Sequence, residues 1–373
     1  MSKPQKTILV RAPNWIGDQI LAYPFFHFLR RAYPRARITS VCTTWTESVQ
    51  FRNLVDEVIV LDKVIRPGFF GKLEALHSSA KLVEKQGPYS ESFILPNSFS
   101  SAYLFWKAGV RNRIGYGADG RSLLLSDVHD WNPELLGHRS ATYVDLLPSE
   151  AKPPQKFRTS EFWGVPPEPG TEDLDPGVPS VVKFEPEKAW PKGTKEAKEL
   201  GFPVDLNAPY WVLAPGSTAD TRRWPLENFM NLTRRIVRET GMPGVVVGGV
   251  SEAMIAERMA SDRELNLKDF TARGSVAALW PLFRNAKFTV ANDSGLAHVA
   301  SLCGSPVQVV WGAGDPKRTE PLGPGRVRVL FNPLDCWPCE KNSCSQLPAA
   351  KLACIRGIQA DEVWEEMKRG LRI

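Results

Sequence analysis

Asp18 lies in APNWIGDQILAYP, after the strand-like run KTILVR and a turn that Gly17 can tighten because it has no side chain to obstruct it. A carboxylate there can take the proton of a hydroxyl nucleophile, or it can accept backbone hydrogen bonds as the N-cap of the following helix. Spacing alone favours the cap. The segment has neither the GxGxxG spacing of a dinucleotide turn nor the GxxxxGK[ST] spacing of a P-loop, which counts against a nicotinamide dehydrogenase and a P-loop ATPase.

Three later strand ends carry groups suited to an anion. In VLAPGSTADTRRWP, Gly216, Ser217 and Thr218 can offer backbone N–H groups and hydroxyls to phosphate, while Arg222 and Arg223 can neutralise its oxygens through bidentate contacts. The competing reading is a solvated turn with Trp224 packed as a cap. Glu252, just past the glycines of GGVSEA, can accept from ribose hydroxyls or steady the start of its own helix. In ANDSGLAHVA, Asp293, Ser294 and Gly295 follow a strand and open a helix whose N–H groups and dipole suit a diphosphate. His298 falls one turn later, either facing the same ligand or satisfied inside the helix. GAGDPKRTEP adds Asp315, Lys317, Arg318 and Thr319 at another polar strand end.

The elements that must position these groups alternate. RITSVC, DEVIVL and ESFILP read as strands and residues 72–85 as a helix, while residues 18–31 read as a helix that Pro24 bends. After a proline-rich and acidic interval the pattern resumes, with YWVLAP, GVVVGG, KFTVAN and PVQVVW as strands. LENFMNLTRRIVRET, SEAMIAERMA and SGLAHVASLC read as the helices between them. The final DEVWEEMKRGL turns Val363, Trp364, Met367 and Leu371 to one face. Parallel strands need such crossovers, so the expectation is α/β: two doubly wound Rossmann-like domains facing a cleft. The expected bounds are 1–178 and 209–373, with a linker over 179–208 that contains a helical KGTKEAKEL.

Length and composition narrow the classes. A chain of 373 residues with 43% hydrophobic and 24% charged residues is an ordinary folded protein, neither disordered nor collagen-like. The apolar stretches are broken before they reach the length of a membrane span, and MSKPQKTILVR lacks the core of an export signal, so a cytoplasmic location is expected. Lys plus Arg 47 against Asp plus Glu 41 gives +6, which favours anionic partners. The dispersed basic residues and the lack of a reading motif argue against nucleic acid. Arg30, Arg31, Arg35 and Arg37 cluster after the first helix and suggest weak, peripheral contact with anionic lipid. Cys336, Cys339, Cys344 and Cys354 lie close together and suggest either a reduced, packed loop or a thiolate metal site, with the loop favoured.

Taken together, APNWIGD followed by Pro24, RRWP, GGVSE, NDSGLAH and GDPKRTEP resemble, in order and over nearly the whole chain, glycosyltransferase family nine and its lipopolysaccharide heptosyltransferases. PNW before IGD points to the branch that adds the second heptose, and GHRSATY, with His138 and Tyr143, looks like a helix start of that branch. The resemblance implies a GT-B fold and inverting transfer of heptose from ADP-L-glycero-D-manno-heptose to a lipid A–Kdo–heptose acceptor at the inner face of the inner membrane. It implies no essential cofactor and no metal at the transfer site. It makes Asp18 the base and sets Ser217 and Thr218 by the donor phosphates. Glu252 would meet the nucleoside, and Asp293, Ser294, Gly295 and His298 would form the donor motif. Arg222 stands where the family generally has lysine, keeping the charge and changing the reach. Related branches use other nucleotide sugars for cell-envelope glycans, and a non-catalytic nucleotide-sugar-binding protein is the further alternative.

Overall fold

The computed structural model describes residues 6–61, 68–153, 162–163 and 182–371. The chain divides into two compact units, one of Met1–Thr159 with Glu187–Trp190, the other of Ser160–Pro186 with Pro191–Ile373.

The first unit carries a six-stranded sheet of β1 (Thr7–Arg11), β2 (Arg37–Thr43), β3 (Glu57–Leu61), β4 (Glu91–Ile94), β5 (Arg113–Tyr116) and β6 (Asp127–His129). The second repeats the plan with β7 (Trp211–Ala214), β8 (Gly244–Val246), β9 (Leu267–Asp269), β10 (Thr289–Asn292), β11 (Val307–Trp311) and β12 (Val327–Phe331). Strand orders are β3-β2-β1-β4-β5-β6 and β12-β11-β10-β7-β8-β9, and every pairing is parallel. These are two doubly wound Rossmann-like domains, as expected from the alternation. In each sheet the order reverses beside the first strand, between β1 and β4 and between β7 and β10. Crevices at such switch points are where open α/β sheets bind ligands.

Local chemistry sets the element ends. The stretch after β1 is two helices, Ile16–Leu21 and Tyr23–Ala32, with Ala22 between them and Pro24 in the opening turn of the second. Proline there loses no intrahelical bond, whereas in a continuous helix it would clash with the carbonyl four residues back. The helix Leu226–Thr240 buries Phe229, Met230, Leu232, Thr233 and Ile236 and stops at Gly241, which takes the left-handed conformation (φ 69°) that glycine adopts without strain. The last helix, Ala360–Leu371, buries Val363, Trp364 and Met367 in the same core, with Leu371 packed at its edge.

The interval read as a linker holds packed structure. The helix Pro191–Glu199 sits in the second unit, where a Cβ on Gly193 would stand 2.7 Å from that of Ala277. Its Glu196 accepts hydrogen bonds from the Ser275 N–H (2.8 Å) and hydroxyl (2.6 Å). Just before it, the Arg52 N–H donates to the Ala189 carbonyl (2.9 Å), and Trp190 is buried in the first unit. Most of the proline-rich run ahead of these residues lies outside the described residues.

Candidate functional site

In the second unit, the turn after β7 and the turn after β10 meet at the switch point, and one side chain pins both ends of the first. Asn292, the last residue of β10, donates through Nδ2 to the Pro215 carbonyl (2.6 Å) and accepts at Oδ1 from the Trp224 N–H (3.1 Å). Both ends of the 215–224 turn are thereby pinned. Arg223 clasps the turn from within, its Nε donating to the Ser217 carbonyl (2.6 Å) and its guanidinium pairing with Asp220 (3.1 Å). The sequence reading offered Arg223 to phosphate; in the structure it holds the turn's own backbone. Gly312 backs the turn so closely that a Cβ there would lie 1.9 Å from the Thr221 carbonyl oxygen.

Arg222 and Asp293 form an ion pair across the switch point (3.2 Å), with Asp293 only 4% exposed. A carboxylate that deep needs a cation. Asp293 therefore orients Arg222, and its negative charge would repel a diphosphate brought against it directly. Ser217 Oγ donates to the Asp293 carbonyl (3.2 Å), closing a ring of contacts between the two turns. Thr218 is exposed beside it.

Ser294 holds the N-cap position of the helix Gly295–Leu302, yet its side chain caps no backbone N–H. Its hydroxyl and the Nε of Arg222 are buried with no hydrogen-bond partner among the described residues. Buried polar atoms are costly unless satisfied, so two of them beside a helix N-terminus mark a place built for an acceptor. His298 is buried inside that helix. Glu252 accepts from the Gly249 N–H (2.8 Å) and the Ser251 hydroxyl (2.7 Å), which is the helix-start role, and it also lies over the switch-point turn. A Cβ on Gly216 would come within 2.8 Å of its carboxyl carbon. Asp315 caps its own short helix through the Lys317 N–H (3.0 Å), and Arg318 pairs with Glu340 (3.2 Å).

In the first unit, Asp18 is not the N-cap. Trp15 occupies that position, and Asp18 sits half-buried in the first turn of the helix Ile16–Leu21. It hydrogen-bonds the hydroxyl of Tyr143, which also meets Arg139. Burial first, and the neighbouring Asp18 carboxylate second, push the Tyr143 phenol well above its usual range, so it stays protonated and donates. His138 caps the helix Arg139–Asp145 by accepting from the Ser140 N–H (3.2 Å), as the GHRSATY reading anticipated, and the Ser140 hydroxyl donates to the Leu21 carbonyl (2.7 Å). The helix bearing Tyr143 is thus fastened to the helix bearing Asp18. Sequence reasoning singled out Tyr143 without this role and missed Arg139, Asn292 and Gly312.

The four late cysteines are free thiols lining one cavity of about 140 Å³ together with Thr221 and Ala313. Burial and the three neighbouring thiols push Cys354 up, whereas backbone N–H groups of Leu352 and Gln346 pull Cys344 down. Among the described residues no group of three or more His, Cys, Asp or Glu is arranged to hold a metal ion. A larger cavity, about 550 Å³, lies between the end of β12 and the last helix and is lined by none of the candidate site residues. No described helix is long and apolar enough to cross a membrane. Of the basic cluster, Arg30 pairs with Asp56 (2.5 Å) and Arg37 with Glu57 (2.7 Å), which weakens it as a lipid-facing patch.

Residues 173–350 match the profile of glycosyltransferase family 9 (heptosyltransferase). The chain is 24% identical to lipopolysaccharide heptosyltransferase 2 of Salmonella typhimurium over 335 residues, 87% of each chain. Its fold matches the E. coli ADP-heptose lps heptosyltransferase II at TM-score 0.71 and 21% identity, covering 99% of both chains. It also matches an E. coli heptosyltransferase solved with ADP, at TM-score 0.66 and 16% identity, over 98% of this chain and all of that one (100%).

Proposed function

We propose that this chain, which matches the glycosyltransferase family 9 profile over residues 173–350 and is similar along most of its length to lipopolysaccharide heptosyltransferase 2, is a glycosyltransferase that moves heptose from ADP-L-glycero-D-manno-heptose to the heptosylated inner core of lipopolysaccharide, inverting the anomeric centre. The observation that carries the donor half is the β7/β10 switch point. There Arg222, held by Asp293, and the uncapped Ser294 present buried donors beside the start of the helix Gly295–Leu302.

Transfer needs a base and a group that stabilises the leaving charge, and each unit carries one of them. Attack by an acceptor hydroxyl on the anomeric carbon releases a proton at the nucleophile and a diphosphate at the leaving group. Asp18, on a rigid helix start and oriented by Tyr143, takes the proton. Arg222 and the Ser294 hydroxyl, with the helix dipole behind them, stabilise the charge that grows on the departing ADP. Asp18 is held by Tyr143 and Arg222 by Asp293 before substrate arrives, so these two need little reorganisation in the transition state. Glu252, steadied by Gly249 and Ser251, is the group offered to the nucleoside. The lipid-linked acceptor puts the working location at the cytoplasmic face of the inner membrane, with peripheral attachment.

The test is Asp18→Asn, which keeps size and removes the base. ADP affinity should stay within about twofold while single-turnover transfer falls by at least 10²-fold, the usual scale of general-base assistance. Near-normal transfer at saturating substrates would remove Asp18 from the chemistry.

A further inference from the structure

Most of the large aromatic side chains are in the cores, where Trp190, Trp211, Trp311 and Trp364 are fully enclosed. Trp15 and Trp45 are not. Trp15 is 60% exposed at the residue just before the helix Ile16–Leu21, and Trp45 is 43% exposed in the turn Thr44–Thr46 that ends β2. Because β1 and β2 are sheet neighbours, both indoles stand at the carboxyl edge of the first sheet. Trp15 is three residues ahead of Asp18, at the N-cap of the helix that carries it.

Neither the place nor the support of these rings is casual. The Trp45 indole N–H donates to the Asn14 carbonyl, and the Asn14 side chain accepts from Arg11. Arg11 is only 5% exposed, is held by the carbonyls of Ala12 (2.6 Å) and Val41 (3.0 Å), and has its ionisation lowered to about 10 by burial. A buried guanidinium thus holds the turn that leads into Trp15 and to which Trp45 is fastened. With its N–H committed, Trp45 offers a ring surface and no donor, and a ring held this way loses little freedom when something stacks on it.

We propose that Trp15 and Trp45 form a stacking platform for a sugar ring of the acceptor, next to Asp18. A pyranose ring has one face of C–H groups, which rests on an indole, and a rim of hydroxyls, one of which must reach the base. Apolar surface beside a carboxylate matches that division of the ligand. The platform rests on the reading of Asp18 as base, and it adds the means by which a carbohydrate acceptor is recognised.

The experiment uses a lipid-free, mono-heptosylated oligosaccharide with the full chain. Trp15→Ala and Trp45→Ala should each raise the acceptor KM about tenfold, leaving ADP affinity and the donor KM unchanged, and the phenylalanine variants should recover part of the loss. Trp106→Ala, which removes another exposed indole on the helix Phe99–Lys107, should change neither. An unchanged acceptor KM in both alanine variants overturns the platform. So does a loss of vesicle binding with oligosaccharide KM unchanged, which would assign the rings to the membrane. The proposed transfer reaction can fail separately. With no donor present, titrating the same oligosaccharide should shift wild-type tryptophan emission to the blue and leave the Trp15→Ala, Trp45→Ala double variant unshifted; no wild-type shift overturns the platform whatever the transfer assay gives.

Discussion

Replacing Tyr143 by phenylalanine removes one hydroxyl, and that hydroxyl is the donor to Asp18 and the partner of Arg139. A hydrogen bond to a charged group contributes about 1.5–3 kcal/mol, and about 1.4 kcal/mol is tenfold in an equilibrium. Asp18 is half-buried, and water replaces part of the lost bond, so the low end of that range, about tenfold in rate, is the expected size of the effect. The sign follows from what the bond favours. Tyr143 stabilises the charged carboxylate, so without it the proton is held more tightly and the acidic limb of kcat/KM against pH moves upward. At pH values below the limb the variant should be about tenfold slower, and well above it nearly as fast as the wild type. Far-UV circular dichroism and ADP affinity should be unchanged. Superimposable pH profiles for wild type and Tyr143→Phe would refute the role of Tyr143 as the residue that positions Asp18.

Arg222→Ala should weaken ADP binding about tenfold and slow transfer, Arg222→Lys should recover part of both, and calorimetry should give the same wild-type affinity with and without EDTA; binding lost in EDTA would contradict donor recognition by protein groups alone. Gly312→Ala drives a methyl group into the Thr221 carbonyl, so both the melting temperature and ADP affinity should fall, with about 1–3 kcal/mol lost in stability. Unaltered values in a melt and a titration would mean that the switch-point turn gives way freely. Burial raises the phenols of Tyr116, Tyr143 and Tyr210, so the unfolded chain releases protons near pH 10 that the folded chain retains. Their stabilising effect is whole below that pH and is lost as pH rises above it, and urea midpoints measured between pH 8 and 11 should fall across the upper part of the range.

Much of this was legible in the residues because the signals are local. The β-branched runs before Asp18 and Asp293 mark β1 and β10 by composition, and the 3.6-residue periodicity of Leu226–Thr240 identified that helix over its full length. The strands β5, β6 and β9 are three or four residues long and carry Arg113, Asp127 or Lys268, so no apolar run announces them. What escaped at the site depends on strand order. Asn292 matters because β10 lies beside β7, and Tyr143 reaches Asp18 because the Ser140 hydroxyl meets Leu21 across 119 residues of sequence. The different supports of Arg222 and Arg223 are invisible in sequence for the same reason. Only the folded turn sets one against Asp293 and the other against its own backbone.

Donor choice is tested most directly by incubating the purified chain with ADP-heptose, UDP-N-acetylglucosamine and other sugar nucleotides, over acceptors carrying no heptose or one, and identifying the products by mass. The expected result is a single added heptose, from ADP-heptose alone and only on the mono-heptosylated acceptor. Transfer from a different sugar nucleotide, or no product from ADP-heptose on either acceptor, would contradict it.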